Sequence, residues 1–197
     1  MPVYKKDNNV ILHIHIPKTG GTSVESYFRF NGYSVSFNGR RKGNKCTLQH
    51  FEKEQIEKVI MPKFNCNYTF ICVRHPFDRA ISECKWKNIK EKDANIWLKN
   101  QLLLLKDDPY CWDNHFRPQV DFITHCIENI FFFEKMYFMV DFLRNKFNLQ
   151  GEFPHKSIGR NKRIKKTHFD DDTKELILDT YMDDFNEFGY NKDINTW

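Results

Sequence analysis

Two stretches of the chain combine residue types that bind anions. The first spans residues 16–23 and reads IPKTGGTS, in which one lysine and three hydroxyl side chains surround a glycine pair. An apolar run rich in β-branched residues, Val10–Ile16, leads into it, and a pattern that suits a helix follows from Thr22 to about Phe30. A strand, a glycine-rich turn and a helix together place backbone N–H groups at the helix N-terminus, where they bind an anion. We expect a phosphate or a sulfate there.

The second stretch lies further along the chain and reads VRHPFDRAIS. Its first residue ends an apolar run, Tyr68–Val73, which predicts a buried strand of a parallel sheet. This strand would deliver Arg74 at its carboxyl end, and Pro76 would begin a helix that carries Ser82. Because ligands gather at the carboxyl ends of parallel strands, we expect Arg74 on the same edge of the sheet as the first loop. An arginine there can bind a second phosphate, although pairing with Asp78 at the helix start remains open.

The first loop differs from the Walker A motif of phosphoryl-transfer proteins. In that motif a lysine and a hydroxyl residue follow the glycines, whereas here Lys18 precedes them. The strand that ends at Val73 is followed by an arginine and not by an aspartate that could bind Mg²⁺. A metal-dependent kinase is therefore disfavoured. It remains an alternative, as does a non-catalytic module that binds a nucleotide or an anionic glycan.

The composition is that of one soluble domain. The chain has 197 residues, of which 29% are charged, and its mean hydropathy is negative. Its longest apolar runs are far too short to span a membrane, and the N-terminus lacks the apolar core of a signal peptide. We therefore expect a single domain over residues 1–197, with a polar lead-in at residues 1–9.

The charged and metal-binding residue types disfavour several other classes of protein. The net charge is +5, with basic clusters at residues 40–45 and 160–166, but no nucleic-acid recognition motif accompanies them. The six cysteines form no C-x-x-C pair, so we expect free thiols and no zinc site. His13 and His15 share one face of the first strand, where we expect them to pack against or orient their neighbours and not to bind a metal.

The hydrophobic periodicity predicts strands that alternate with helices, which indicates an α/β protein with a mainly parallel sheet. Besides the elements above, the pattern predicts short strands at 33–37, 120–124 and 130–133, and helices at 51–61, 94–105 and 136–147. Residues 150–168 predict a basic loop. A capping box formed by Asp172 and Glu175 predicts the start of a last helix, which continues past Phe185.

Taken together, the two anion-binding stretches resemble the sulfotransferase superfamily, whose members use 3′-phosphoadenosine 5′-phosphosulfate (PAPS) as sulfuryl donor. HIPKTGGT resembles the family's 5′-phosphosulfate loop. The arginine at a strand end, with a serine eight positions later, resembles its 3′-phosphate site. The loop resembles in particular the carbohydrate, Golgi-type branch, which includes heparan sulfate 6-O-sulfotransferases and chondroitin-like relatives. The resemblance implies a three-layer P-loop-like fold, with helices flanking a central, mainly parallel sheet, in a soluble form without a membrane anchor.

Further segments resemble the same family and extend the likeness from about Ile11 to Tyr190. They are LQHF at 48–51, FRPQ with DF at 116–122, FFE at 132–134, FPHKS at 153–157 and FGY at 188–190. Departures from the family pattern lie mainly in the segments that are expected to shape the acceptor site.

The resemblance implies a role for each candidate residue. The residues expected to bind the donor are Lys18, Thr19, Gly20, Gly21, Thr22, Ser23, Arg74, Ser82 and Arg160. Lys18 would also stabilise the leaving phosphate, without a metal. His50, just before a helix between the two nucleotide motifs, is the expected general base, and Glu25 is the runner-up. The residues expected to bind the acceptor are His155, Arg117 and Gln119.

The implied reaction moves a sulfuryl group from PAPS to a hydroxyl of a carbohydrate, which could itself be anionic. We expect no nucleic-acid partner and no stable insertion into a membrane. The expected location is the cytoplasm of a bacterium or of a virus-infected cell, with the Golgi lumen as the alternative if a membrane anchor has been removed. The identity of the acceptor and the oligomeric state remain open.

Overall fold

The structure is a computed structural model that describes residues 1–39, 45–155, 165 and 169–196. Most of the basic loop expected at residues 150–168 lies outside these ranges. The strands are β1 (Val3–Lys6), β2 (Asn9–Ile14), β3 (Ser34–Ser36), β4 (Tyr68–Val73) and β5 (Asn129–Phe132). The α-helices are α1 (Gly21–Phe30), α2 (Lys53–Gln55), α3 (Pro76–Trp86), α4 (Ala94–Asp107), α5 (Cys111–Asn114), α6 (Met136–Phe147), α7 (Asp171–Thr180) and α8 (Met182–Phe188).

The five strands form one mixed sheet in the order β3-β1-β2-β4-β5. Its core is parallel, because β4 pairs in parallel with β2 on one side and with β5 on the other. β1 is antiparallel to both β2 and β3. The predicted α/β class with a parallel core is therefore confirmed. In the register of the central pair, Ile14 lies beside Ile71, so β2 and β4 run towards the same edge of the sheet.

The polar lead-in expected at residues 1–9 is wrong, because β1 occupies residues 3–6 and is part of the sheet. Val3 and Tyr4 are fully buried, and Lys5 and Lys6 are exposed. Since only two apolar residues mark this strand, the lysines and asparagines around it hide it in the sequence.

Two compact units divide the chain. The first comprises Met1–Val73 and Asp121–Lys156, and the second comprises Arg74–Val120 and Ser157–Trp197. The first contains the whole sheet, and the second is helical where it is described. The single domain over residues 1–197 stays a prediction.

The core of the first unit lies between the sheet and helices α1 and α6. Helix α1 buries Val24, Tyr27 and Phe28, which follow the predicted i, i+3, i+4 spacing. Phe28 stacks on Tyr4 of β1, with ring centroids 4.3 Å apart. Phe70 of β4 completes this aromatic layer.

The core of the second unit lies among α3, α4, α7 and α8. The predicted stripe of α3 is confirmed, because Phe77, Ala80, Ile81 and Cys84 are all buried in one cluster. Leu98 of α4, Ile177 of α7 and Phe185 of α8 belong to the same cluster. These helices hold α3 in place, and α3 follows directly from β4 along the chain.

Two predicted elements of the second half differ from the structure. The strand at 120–124 is wrong: residues 119–122 form a 3-10 turn, in which the Val120 amide donates to the Asp184 carboxylate at 2.9 Å. The last helix is two helices, broken at Tyr181. The cap of α7 is Asp170 and not Asp172, because the Asp170 carboxylate accepts the Thr173 amide at 2.8 Å.

The remaining predicted elements are confirmed with small shifts. The helix expected at 51–61 begins at Lys53 with a capping box between Glu52 and Gln55, and continues as a π-helical turn over Ile56–Ile60.

All six cysteines are free thiols, and burial raises the pKa of the Cys84 thiol to about 12. Within the described part of the chain, no helix combines the length and the apolar character needed to cross a membrane.

His13 of β2 is a structural histidine. It is fully buried, stacks on Phe70 with ring centroids 4.6 Å apart, and shares a hydrogen bond of 3.0 Å between its Nδ1 and the Tyr4 hydroxyl. Burial, with a smaller effect of the N-terminal ammonium, lowers the pKa of His13 to about 3. The imidazole is therefore neutral in the folded protein, as its predicted packing role requires.

This lowered pKa predicts a loss of stability in acid. The unfolded chain protonates His13 near its ordinary pKa of about 6.5, whereas the folded chain does not until about pH 3. The stabilisation is complete above pH 6.5 and is lost as the pH falls from there towards 3. Between pH 7 and 5, urea unfolding should show a loss for the wild type that exceeds the loss for His13→Phe by about 1–2 kcal/mol. Equal losses would contradict the assignment.

Candidate active site

The glycine-rich loop joins β2 to α1 over residues 15–20. Lys18 and Gly20 both have left-handed backbone angles, with φ of 70° and 91°. The chain then turns into α1, and the carbonyl of Gly20 accepts the amides of Ser23 and Val24 at 2.9 and 3.3 Å. Because the first amides of a helix have no acceptor within it, those of Gly21 and Thr22 are presented at the helix N-terminus. This is the anion-binding geometry that the sequence predicts.

The hydroxyl groups of the loop have different surroundings. Thr19 is fully buried, and its hydroxyl donates to the Ile16 carbonyl at 2.9 Å, so this side chain holds the loop together. Thr22 is exposed at the first turn of α1, while Ser23 is buried. Lys18 is half-buried. Thr22 and Lys18 are thus the predicted loop side chains that are partly open to solvent.

Both glycines of the loop lie where a side chain would collide. A Cβ added to Gly21 would lie 2.2 Å from Nε2 of His15, which is far inside van der Waals contact. A Cβ added to Gly20 would lie 2.9 Å from the Met136 methyl, and its positive φ also disfavours other residues. The glycine pair therefore admits the His15 ring on one side and the start of α6 on the other.

The structure brings His50 next to this loop through His15. His50 is buried in a 3-10 turn, Leu48–His50, and its Nε2 lies 3.3 Å from Nε2 of Gln49. The edge of one imidazole meets the face of the other, with the centroids of His15 and His50 5.3 Å apart and their planes at 81°. A continuous contact thus runs from the predicted base through His15 to the backbone of Gly21.

His15 is the residue of this site whose position sequence reasoning missed. The alternation along β2 places it on the face of His13, but nothing in the sequence shows that it contacts Gly21 or His50. The runner-up base has other contacts: the half-buried Glu25 carboxylate accepts Arg29 Nε at 2.8 Å and Asn38 Nδ2 at 2.6 Å. The structure does not place Glu25 in the contact between His15 and His50.

In the second unit, a buried amide holds the backbone of Arg74. Gln119 is fully buried; its Oε1 accepts the Arg74 amide at 2.9 Å, and its Nε2 donates to the Arg74 carbonyl at 2.8 Å. The same Nε2 donates to Asp184 at 3.2 Å. Burial raises the pKa of the Asp184 carboxyl, and the nearby Arg79 opposes this shift. Gln119 therefore fixes the position of the Arg74 backbone, directly after β4 in the chain.

Buried charged residues of α3 hold the segment that carries Gln119. The guanidinium of Arg79 donates to the carbonyls of His115 and Arg117 at 2.7 and 2.8 Å. Glu83 meets His115 Nδ1 at 2.8 Å. Ser82 lies half-buried on the same helix. The sequence offered a weak signal for this network, namely charged residues at the i and i+4 positions beside the apolar stripe of α3.

Of the remaining predicted site residues, Arg117 joins the second cluster through its backbone carbonyl, which accepts from Arg79, and His155 lies outside both clusters. Arg117 is half-buried, with its guanidinium 4.9 Å from the Tyr110 ring and its Nε donating to Asn114 at 3.2 Å. His155 is exposed at the edge of the Phe153 ring. Arg160 lies outside the described residues.

In α/β proteins with a parallel core, a glycine-rich loop at a helix N-terminus is a common binding site for phosphorylated or sulfated ligands. Comparison with protein families narrows this class. The family described as "Sulfotransferase family" matches residues 2–191, and the chain therefore belongs to that family. A search of curated proteins and a search of solved structures each find no match. The resemblance of the chain to the sulfotransferase superfamily is thus confirmed, and its assignment to the carbohydrate branch stays a prediction.

The contact between His15 and Gly21 predicts a measurable coupling. Gly21→Ala should lower the free energy of unfolding by about 1–3 kcal/mol, because the new methyl group overlaps the imidazole. In a His15→Ala background, Gly21→Ala should lower the free energy of unfolding by at least about 1 kcal/mol less, since the obstructing ring is gone. Urea unfolding of the four proteins measures the coupling. Equal costs in both backgrounds would contradict the contact.

Proposed function

We propose that the protein transfers a sulfuryl group from PAPS to a hydroxyl of a carbohydrate. Membership of the sulfotransferase family supports sulfuryl transfer in general. The observation that supports the more specific proposal is the glycine-rich loop at the start of α1. Its first backbone amides would bind the anion of the donor, and the neighbouring His50, in contact with His15, would accept the proton.

The 5′-phosphosulfate of the donor would bind at this loop. The amides of Gly21 and Thr22 and the exposed hydroxyl of Thr22 would donate to the phosphate, with Gly20 and Ser23 shaping the turn. The Lys18 ammonium would neutralise the charge that develops on the leaving phosphate. Thr19, whose hydroxyl donates to Ile16, would act by stabilising the loop.

The 3′-phosphate of the donor would bind at the N-terminal part of α3. Arg74 is the proposed ligand, since a guanidinium can bind phosphate through two hydrogen bonds, and Ser82 would add a hydroxyl donor. Gln119, predicted to bind the acceptor, is better assigned as a positioning residue, because its amide bonds to the Arg74 backbone. This arrangement would reduce the freedom that Arg74 loses when it binds phosphate.

In the reaction, the acceptor hydroxyl oxygen would form a bond to sulfur as the bond between sulfur and the bridging phosphate oxygen breaks. The hydroxyl proton would pass to a neutral nitrogen of His50. The adenosine 3′,5′-bisphosphate product would leave with the electron pair of the broken bond. His15 would hold the His50 ring, since the two imidazoles are in edge-to-face contact. Such a general base contributes typically about 10²–10⁴ in rate.

The acceptor side of the proposal rests on the sequence resemblance to the carbohydrate branch. His155 is exposed and Arg117 is half-buried, so both can reach a ligand without rearrangement of a core. Arg160 remains a proposed contact to one of the anions of the donor.

Replacement of Arg74 tests the 3′-phosphate site. Arg74→Ala should raise the Kd for adenosine 3′,5′-bisphosphate about 10- to 100-fold, because hydrogen bonds to a charged group are lost. The Kd for adenosine 5′-monophosphate, which lacks the 3′-phosphate, should change little. Calorimetric titration measures both, and Lys90→Ala, which removes an exposed positive charge of the same unit, is the control. A parallel loss for both nucleotides would argue against a 3′-phosphate contact.

Replacement of His50 tests the general base. Transfer of ³⁵S from labelled PAPS to a panel of carbohydrates should fall about 10²- to 10⁴-fold in His50→Ala, while binding of adenosine 3′,5′-bisphosphate persists. His125→Ala is the matched control, because this histidine is 75% exposed and its Nδ1 lies 3.6 Å from Glu57. Undiminished transfer by His50→Ala would exclude this residue as base. If the wild type binds the nucleotide and labels no acceptor, the protein is a binding module and not an enzyme.

A further inference from the structure

The proposed base, His50, has a side-chain partner in the residue that precedes it. Gln49 and His50 lie side by side in the 3-10 turn Leu48–His50, and Nε2 of the Gln49 carboxamide lies 3.3 Å from Nε2 of the His50 imidazole. His50 is buried, whereas Gln49 is half-buried. The reaction proposed above assigns no role to this contact.

The chemistry of the two groups gives this hydrogen bond a direction. A carboxamide nitrogen carries two hydrogens and no acceptor lone pair, so it donates and does not accept. An imidazole nitrogen that accepts a hydrogen bond carries a lone pair and no proton. In neutral His50 the lone pair is therefore on Nε2, and the proton is on Nδ1. The side chain of Gln49 thus selects one of the two tautomers of the imidazole.

Backbone and thiol contacts hold the turn that presents both side chains. The His50 amide donates to the Thr47 carbonyl at 3.0 Å. The sulfur of the buried Cys46 lies 3.6 Å from the His50 carbonyl oxygen and 3.4 Å from Oε1 of Gln55, the residue that closes the capping box of α2. Because the backbone is fixed at these points, the two neighbouring side chains keep their contact with a small loss of conformational freedom.

We propose that Gln49 is a positioning residue that keeps the lone pair of His50 on Nε2, so that Nε2 is the atom that accepts the proton of the acceptor hydroxyl. This inference rests on the proposed function, in which His50 is the general base. In the transfer step the O–H bond of the acceptor breaks and an Nε2–H bond forms, while the oxygen forms its bond to sulfur. His50 then carries a proton on both nitrogens, and the electron pair of the broken sulfur–oxygen bond stays on the phosphate.

The length of the contact allows an exchange of partners. A separation of 3.3 Å is slightly longer than that of most N–H hydrogen bonds in proteins, and a bond between neutral groups is weaker than one to an ion. An incoming hydroxyl can therefore replace the carboxamide at Nε2 and meet a lone pair that is already in place. Gln49 would thus act on the rate through His50, without contact with the sulfuryl group.

Nuclear magnetic resonance of the full chain, in the absence of donor, measures the tautomer. The histidines would be labelled with ¹⁵N, and the signals of His50 identified by their loss in His50→Gln. At pH 8, Nε2 of His50 should have the chemical shift of an unprotonated nitrogen and Nδ1 that of a protonated one. In Gln49→Glu the two shifts should exchange, because the new carboxylate only accepts. An Nε2–H in the wild type, or unchanged shifts in Gln49→Glu, would overturn the proposal.

Two substitutions of Gln49 test its effect on transfer of ³⁵S from labelled PAPS. Gln49→Met keeps the length of the side chain and removes the donor, so kcat should fall about 3- to 10-fold, as for the loss of one neutral hydrogen bond. Gln49→Glu favours the other tautomer and should lower kcat about 10²-fold. The KM for PAPS and the Kd for adenosine 3′,5′-bisphosphate should stay within about 2-fold, because the donor does not contact the carboxamide.

Gln150 supplies the matched controls. It is an exposed glutamine of the same unit, and its Nε2 donates to the Asn148 carbonyl at 3.1 Å. Gln150→Met and Gln150→Glu should transfer at the wild-type rate. Thermal unfolding of all four variants shows whether each is folded, and the ¹⁵N shifts of the wild type test the tautomer even if a Gln49 variant does not fold.

The outcomes separate this inference from the proposed function. A wild-type kcat in both Gln49 variants, together with a loss of transfer in His50→Ala, overturns the role of Gln49 and leaves His50 as the base. A fall in kcat with a parallel loss of stability and no change of tautomer also overturns it, since that is a structural effect. If the wild type labels no acceptor, the catalytic proposal fails, and the ¹⁵N shifts alone uphold or overturn the tautomer that Gln49 selects.

Discussion

The contact between the His15 imidazole and the backbone of Gly21 is the constraint on which the candidate site depends. A side chain of a single methyl group at Gly21 would overlap the ring, so the loop can follow its path only because this residue is glycine. The ring belongs to the residue that follows β2, whose last residue Ile14 pairs with Ile71 of β4. Through its edge-to-face contact it also determines where His50 lies. Anion loop and proposed base are therefore positioned by one side chain.

In the second unit, buried polar groups position Arg74. Gln119 satisfies both backbone groups of Arg74, and Asp184, Arg79, Glu83 and His115 continue the network around it. A buried polar group without a partner is costly, so these side chains specify one arrangement of the segment and exclude others. The result is an arginine whose backbone is fixed before a ligand binds. A residue that binds phosphate keeps more of its affinity when its backbone is already fixed, because less conformational entropy is lost on binding.

The backbone at Trp112–Asn114 contrasts with these hydrogen-bonded networks. Three left-handed residues and an exposed indole are unfavourable features for stability alone. The hydrogen bond to Gln101 and the contact with Lys87 hold the indole in a defined orientation.

The sequence by itself determined the α/β class, the parallel core, most helices and the position of the anion loop, because these depend on local periodicity, on glycine and on proline. The strand at Tyr68–Val73 and the helix that begins at Pro76 follow from patterns of neighbouring residues. Only the tertiary structure decided that β1 joins the sheet, that Val120 bonds to Asp184, and that Gln119 holds Arg74. The last two contacts join residues 64 and 45 positions apart, and a local pattern carries no information on which distant group satisfies a buried amide. For the same reason the contact of His15 with His50, which links the loop to its proposed base, could be recognised only in the folded chain.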